Sequence, residues 1–181
     1  SSDLEMPRGV SRMPVIFHHH LQDLNKNGRT CANVWDVYEE EENNLWIATS
    51  CGLLLYHPQQ QTYEQFTYDP ADTASLSAKV ARCICADSKG NLWIGTEGGG
   101  INRLLKKEKK FKRYMRRHGL AGDVVWGILE DANGYLWINT SLGVSRFDPQ
   151  KEEFKNYGYA EGFQGNISGR GICYKDQNGY L

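Results

Sequence analysis

The phrase Leu-Trp-Ile-x-Thr occurs three times, at Leu45–Thr49, Leu92–Thr96 and Leu136–Thr140, and its tryptophans are separated by 47 and then 44 residues. A short start of a further copy, Gly179-Tyr180-Leu181, matches Gly134-Tyr135-Leu136. A period of this length built from short apolar runs predicts the four-stranded blades of a β-propeller. Each unit carries an extended run ending in an acid, such as Val80 to Asp87 or Val124 to Asp131. A tight turn follows, Asp87-Ser88-Lys89-Gly90-Asn91 or Asp131-Ala132-Asn133-Gly134-Tyr135. Asp accepts backbone N–H bonds and Gly tolerates positive φ, so these are hairpin turns. The Leu-Trp-Ile strand, a corner, a third strand and a fourth strand with an aromatic pair complete the unit. The corners are Ser50-Cys51-Gly52, Glu97-Gly98-Gly99 and Ser141-Leu142-Gly143.

One such meander cannot bury both faces. Stacked radially, each blade covers its neighbour, and the repeated Trp and aliphatic residues are expected to form the core between blades. The fold class is therefore all-β, a propeller of four-stranded antiparallel blades. The register divides the chain into a segment 1–12, an outer-strand remnant and loop 13–32, blades at 33–67, 68–114 and 115–157, and the first strands of a following blade at 158–181. Three blades and two remnants fall short of the about four to eight that close a ring. The count predicts a piece of a larger propeller, with edges prone to association.

Composition excludes few functions. The net charge of −1 gives no global attraction to nucleic acid or anionic membrane. No apolar stretch is long enough to span a bilayer. The five cysteines, Cys31, Cys51, Cys83, Cys85 and Cys173, are odd in number and lack Cys-x-x-Cys spacing, so zinc is not expected and their disulfide status stays open. Cys83 and Cys85 share a strand face and read as small apolar packing. His18 and His20 share a face without a carboxylate at matching spacing. The basic tract Lys106–Arg117 falls on a hairpin and outer strand, where charge discourages strand pairing. The glycines Gly98-Gly99-Gly100 join two strands and lack a following Gly-Lys-(Ser/Thr), so they are not a phosphate loop.

From Val80 to Leu104 the repeat reads Val-x-x-x-Ile-x-x-Asp-x-x-Gly-x-Leu-Trp-Ile-Gly-Thr-x-x-Gly-Gly-Ile-x-Arg-Leu, and the copy at Val124–Phe147 continues Asp148-Pro149. This resembles the two-component-regulator propeller repeat, over roughly Asn33 to Leu181. The first blade departs from it twice: Leu55 stands where the others have Arg, and Asn43 where they have the turn Gly. The resemblance implies the periplasmic sensor region of a hybrid two-component system, of the kind known from Bacteroidetes. It implies a parent with two propellers, an immunoglobulin-like module, a membrane helix, a histidine kinase, a receiver and a DNA-binding domain. It further implies an oligosaccharide or glycan-fragment ligand, self-association and membrane attachment only through the parent, and no catalytic residue or cofactor in the propeller.

A ligand site is expected where second-to-third-strand corners and fourth-to-first-strand loops emerge together. Trp35, Arg82 and Trp126 each lie ten residues before the Leu of Leu-Trp-Ile, with Gly171 in the same register beside Arg170. They should line the channel mouth near Glu97. An indole covers the C–H face of a pyranose, and a guanidinium donates to hydroxyls or to an acidic sugar. The competing reading places both tryptophans in the core between blades. The polar loops Tyr68–Lys79 and Gly158–Gly169 belong to the same end. Two further functions stay open: a lyase of the streptogramin type, which would need a His at the mouth, where only His118 comes near, and a protein-binding scaffold.

Overall fold

The computed structural model describes residues 33–40 and 43–158. They form three antiparallel four-stranded sheets, each a simple meander. Blade I comprises β1 (Val34–Glu39), β2 (Leu45–Thr49), β3 (Gly52–His57) and β4 (Thr62–Phe66). Blade II comprises β5 (Ala81–Ala86), β6 (Leu92–Thr96), β7 (Ile101–Leu105) and β8 (Lys110–Tyr114). Blade III comprises β9 (Val125–Glu130), β10 (Leu136–Thr140), β11 (Gly143–Asp148) and β12 (Glu153–Tyr157). The first strands β1, β5 and β9 neighbour one another in that order, as inner strands of successive blades do. The expected remnants at 13–32 and 158–181, with His18, His20 and Arg170, lie outside the described residues apart from Gly158.

The motif residues each hold one part of the blade. Trp93 Nε1 donates to Asp87 Oδ2 at 2.8 Å, and Trp137 Nε1 to Asp131 Oδ2 at 2.8 Å. Trp46 Nε1 donates to Glu40 at 2.9 Å. The turn acid thus satisfies a buried indole as well as the turn: Asp87 Oδ1 also accepts the Lys89 and Asn91 amides. The wholly buried threonines Thr49, Thr96 and Thr140 donate to the carbonyls of Gly52, Gly100 and Gly143 at 2.8, 2.9 and 2.7 Å, fixing each corner. Asn43 replaces the turn glycine at φ 62, a conformation Asn tolerates better than other side chains do. The repeat Arg lies opposite the Trp on the next strand. Arg103 sits over Trp93 at 6.0 Å, and Leu55 takes its place opposite Trp46 in blade I.

The core lies between blades, as the repeat predicts. Trp46, Ala48 and Leu53 of blade I pack with Leu92, Ile94, Leu104 and Phe111 of blade II. Trp93, Ile101 and Tyr114 of blade II pack with Val125, Ile138 and Phe147 of blade III. Cys83 is buried in this second cluster and Cys85 packs against it, as their shared face suggested. Cys51 is disulfide-bonded, which the spacing alone had left open. Burial, with the Glu130 and Asp87 carboxylates behind it, pushes the Cys85 thiol up to about 11. An unfolded chain ionises this thiol near its ordinary value, so the folded state holds the proton longer. Cys85 therefore leaves stability unchanged below pH 9 and subtracts from it as pH rises from 9 to about 11. Urea midpoints measured across that range should fall less steeply in Cys85→Ala than in the wild type. Parallel curves would exclude Cys85 as the source.

The basic tract departs from its simplest reading. β8 ends at Tyr114, and Arg116–His118 forms a 3₁₀ turn rather than more strand. The tract is solvated, but three of its lysines reach across to neighbouring blades. Lys106 pairs with Glu40 and Lys109 with Glu64 of blade I, while Lys112 pairs with Glu152 of blade III. Arg113 donates to the carbonyls of Asp72 and Ser75 at 2.7 and 2.9 Å, and so pins the Tyr68–Lys79 loop to the outer strand of its own blade.

Candidate functional site

At one end of the three blades, the pairing of first and second strands slips at the same place. Val34 faces Thr49 and Asp36 faces Ala48, which leaves Trp35 as an extra residue. Ala81 faces Thr96 and Cys83 faces Gly95, which leaves Arg82. Val125 faces Thr140 and Gly127 faces Asn139, which leaves Trp126. Trp35, Arg82 and Trp126 are thus each the bulged residue of their strand, whereas Glu97 sits on the corner of blade II. A bulge re-aims a side chain that regular alternation would send to one face of the sheet. The threefold recurrence explains why the two tryptophans belong to none of the three buried clusters. Both tryptophans are half-buried.

The bulged side chains meet. The Arg82 guanidinium lies 4.0 Å from the centre of the Trp35 ring and 5.2 Å from that of Trp126, so the cation sits between two indoles from the blades on either side. Its edge is taken by Glu97: Nε donates to Oε2 at 2.9 Å, and Nη2 donates to the same oxygen. The Arg82 side chain is 13% exposed and that of Glu97 41%. Two indole nitrogens, Trp35 Nε1 and Trp126 Nε1, are buried without a hydrogen-bond partner among the described residues, as is Asn139 Oδ1, whose residue faces Gly127 beside the blade III bulge. Buried polar atoms rarely stay unpaired, because each one costs the desolvation it does not recover.

Glu97 is held by the corner. Its amide donates to Val80 O at 3.0 Å, and it bridges to Val124 of blade III. The amides of Gly98 and Gly100 both donate to Asp123 O, at 3.0 and 2.8 Å. Ser50 and Ser141 occupy the same place in blades I and III, donating to Asn33 O and Val124 O. The ring position therefore reads Trp with Ser, Arg with Glu, and Trp with Ser.

Asp36 is a polar residue the sequence reading missed. It interrupts the apolar run Val34-Trp35-x-Val37, and that interruption was the available signal. Its Oδ2 accepts Ile84 N–H of blade II at 2.8 Å and its Oδ1 accepts Val37 N–H at 2.9 Å. Burial raises its carboxyl above the usual range, and the two backbone bonds only partly offset that. It ties two inner strands together directly behind the Trp35 bulge.

His118, the histidine expected nearest the mouth, is engaged within its own turn. Its ring nitrogens lie 3.0 Å from Met115 N and 3.2 Å from Arg117 Nε within its own turn. Among the described residues no cluster of His, Cys, Asp and Glu could hold a metal ion. A cleft of about 440 Å³ opens at the opposite end, lined by Tyr38, Glu40, Asn44, Asp87 and Lys106. Its charged groups are already spent on Trp46, Trp93 and one another.

The fold is a β-propeller segment. Residues 75–98 and 119–141 match the family model of the two component regulator propeller. It is 27% identical to histidine kinase P4 of Formosa agariphila, over 84% of this chain and 15% of that protein. It is also 27% identical to the extracellular domain of BT3049, assigned as a hybrid two component system of B. thetaiotaomicron, with a TM-score of 0.70 over 81% of this chain and 20% of that one. Virginiamycin B lyase from Staphylococcus aureus matches at a TM-score of 0.53 and 18% identity, over 69% of this chain and 41% of the lyase, a likeness of fold alone. The chain thus spans a fifth or less of the length of its two more similar relatives. No helix among the described residues is long and apolar enough to cross a membrane.

Proposed function

We propose that this chain is a ligand-sensing part of the extracytoplasmic propeller of a hybrid two-component signalling protein, placed in the periplasm, and that it binds an oligosaccharide at the channel mouth. The observation that carries this reading is the set of three register bulges, which brings Trp35, Arg82 and Trp126 into one cluster with buried, unpaired indole donors. Flat aromatic surface and unpaired donors are what a polyhydroxylated ring offers partners to. The repeats and the relatives support the signalling context. Ligand binding would alter how blades or subunits pack, and the parent's kinase would read that change.

The test is calorimetric titration of the full-length protein with a panel of neutral and acidic oligosaccharides, followed by measurement of its phosphorylation with each binder. At least one saccharide should bind and change phosphorylation. Trp35→Ala and Trp126→Ala should each weaken it by about tenfold, the cost of removing one central aromatic anchor. A panel without a binder, or binding that ignores both tryptophans, would sink the reading.

A further inference from the structure

We infer that the ligand of this mouth is acidic: its carboxylate or sulfate replaces Glu97 on Arg82. The inference rests on the saccharide reading above and names the class of saccharide. Blades I and III both carry Trp at the bulge and Ser at the corner, whereas blade II alone carries Arg82 and Glu97. Blade II therefore differs from both neighbours at two positions that meet in space, and the difference is one cation and its counter-ion.

The geometry limits what can approach Arg82. Two indole ring centres lie 4.0 and 5.2 Å from the guanidinium carbon and the Arg82 side chain is only 13% exposed, so the N–H edge turned to Glu97 is the part a ligand would compete for. That edge holds a carboxylate now. The pairing is poor for two such groups, because Nε and Nη2 converge on the single oxygen Oε2 rather than matching both oxygens. Glu97 is also the exposed member of the pair, 41% against 13% for Arg82, so it can leave into water while Arg82 stays between the rings. A neutral hydroxyl would still accept from the charged guanidinium but would leave it without a counter-ion once Glu97 had moved away. An anion presenting two oxygens restores the charge pairing and adds the second bond. Carboxylate and sulfate oxygens accept and do not donate, which suits a mouth whose unsatisfied groups include two indole N–H donors.

The experiment compares three probes on the full-length protein by calorimetry: an oligogalacturonate, the same oligosaccharide with its carboxyls reduced to alcohols, and a sulfated neutral oligosaccharide. The expected result is that one anionic probe binds at least about tenfold more tightly than the reduced one, a difference of one charge-assisted contact. Binding of the oligogalacturonate assigns the carboxylate, and binding of the sulfated probe assigns the sulfate. Glu97→Gln decides the mechanism by its sign. Removing a competing carboxylate should tighten the anionic probe severalfold, whereas a mouth that uses Glu97 to accept sugar hydroxyls would be weakened. Arg82→Lys keeps the charge but loses the planar fork, and should weaken the anion about tenfold or more with the fold intact. Equal affinity for charged and reduced probes, or weaker binding in Glu97→Gln, overturns the inference. If that binding still depends on Trp35 and Trp126, the saccharide reading survives. If no saccharide binds at all, both fall.

Discussion

Trp93→Ala is expected to cost about 3–5 kcal/mol of stability, the range for deleting a wholly buried aromatic side chain. Trp93 is 0% exposed and sits at the seam of blades II and III. Its ring centre lies 5.8 Å from that of Tyr114 in its own blade and 5.6 Å from that of Phe147 in the next. Removing it opens a cavity bounded by two sheets, neither of which can collapse without shifting its ladder. It also takes a buried donor from Asp87, which otherwise holds the turn amides of Lys89 and Asn91. Trp93→Phe separates the two effects, since it keeps an aromatic filling and loses the bond to Asp87. It should cost less than the alanine variant but remain measurable. The same substitution at Trp137, which is only partly buried and stacks on Tyr157 at 5.4 Å, should cost clearly less. Urea unfolding followed by far-UV circular dichroism reads all three. Equal losses at Trp93 and Trp137 would mean that burial between blades is not what the tryptophan contributes.

Much of this fold was legible because the repeat states each blade several times. The turn acid, the Leu-Trp-Ile strand and the glycine corner recur, so an ambiguous strand such as Lys110–Tyr114 could be placed by register despite its charge. Ten-residue spacing likewise picked out Trp35, Arg82 and Trp126 as equivalents, and they do meet. What register could not supply was how their side chains come to be re-aimed. That depends on a bulge, and a bulge is a one-residue slip between strands rather than a property of either strand. Partner choice across sequence distance was hidden for the same reason. Nothing local marks Lys112 for Glu152, or Arg113 for the carbonyls of the loop before its own blade. Asp36 was visible as a misfit, but its role, a bond from Oδ2 to an amide of the next blade, exists only once two inner strands lie side by side.

The corner that carries Glu97 yields the second large effect. Gly100→Ala should cost about 3 kcal/mol or more, combining left-handed backbone strain with overpacking. Gly100 has φ +69, and a Cβ there would stand 2.2 Å from the carbonyl oxygen of Tyr114 and 3.2 Å from the Leu120 side chain. The oxygen belongs to the last residue of β8, so relief requires moving the outer strand of the blade. Gly98 is the built-in control. It too has positive φ, +97, but a Cβ there meets nothing within 4 Å. Gly98→Ala should therefore pay only for backbone strain, about 1–2 kcal/mol. The two glycines also hold the corner on blade III, since both amides donate to Asp123 O. A shift at Gly100 would then move Glu97 relative to Arg82, so Gly100→Ala should weaken ligand binding as well as stability, whereas Gly98→Ala should leave binding nearly unchanged. Thermal unfolding and calorimetry on the two variants test both halves. If they lose the same stability, contact with the Tyr114 carbonyl is not what demands glycine at position 100. If Gly100→Ala unfolds more easily yet binds normally, the corner holds the blade together without setting the position of Glu97.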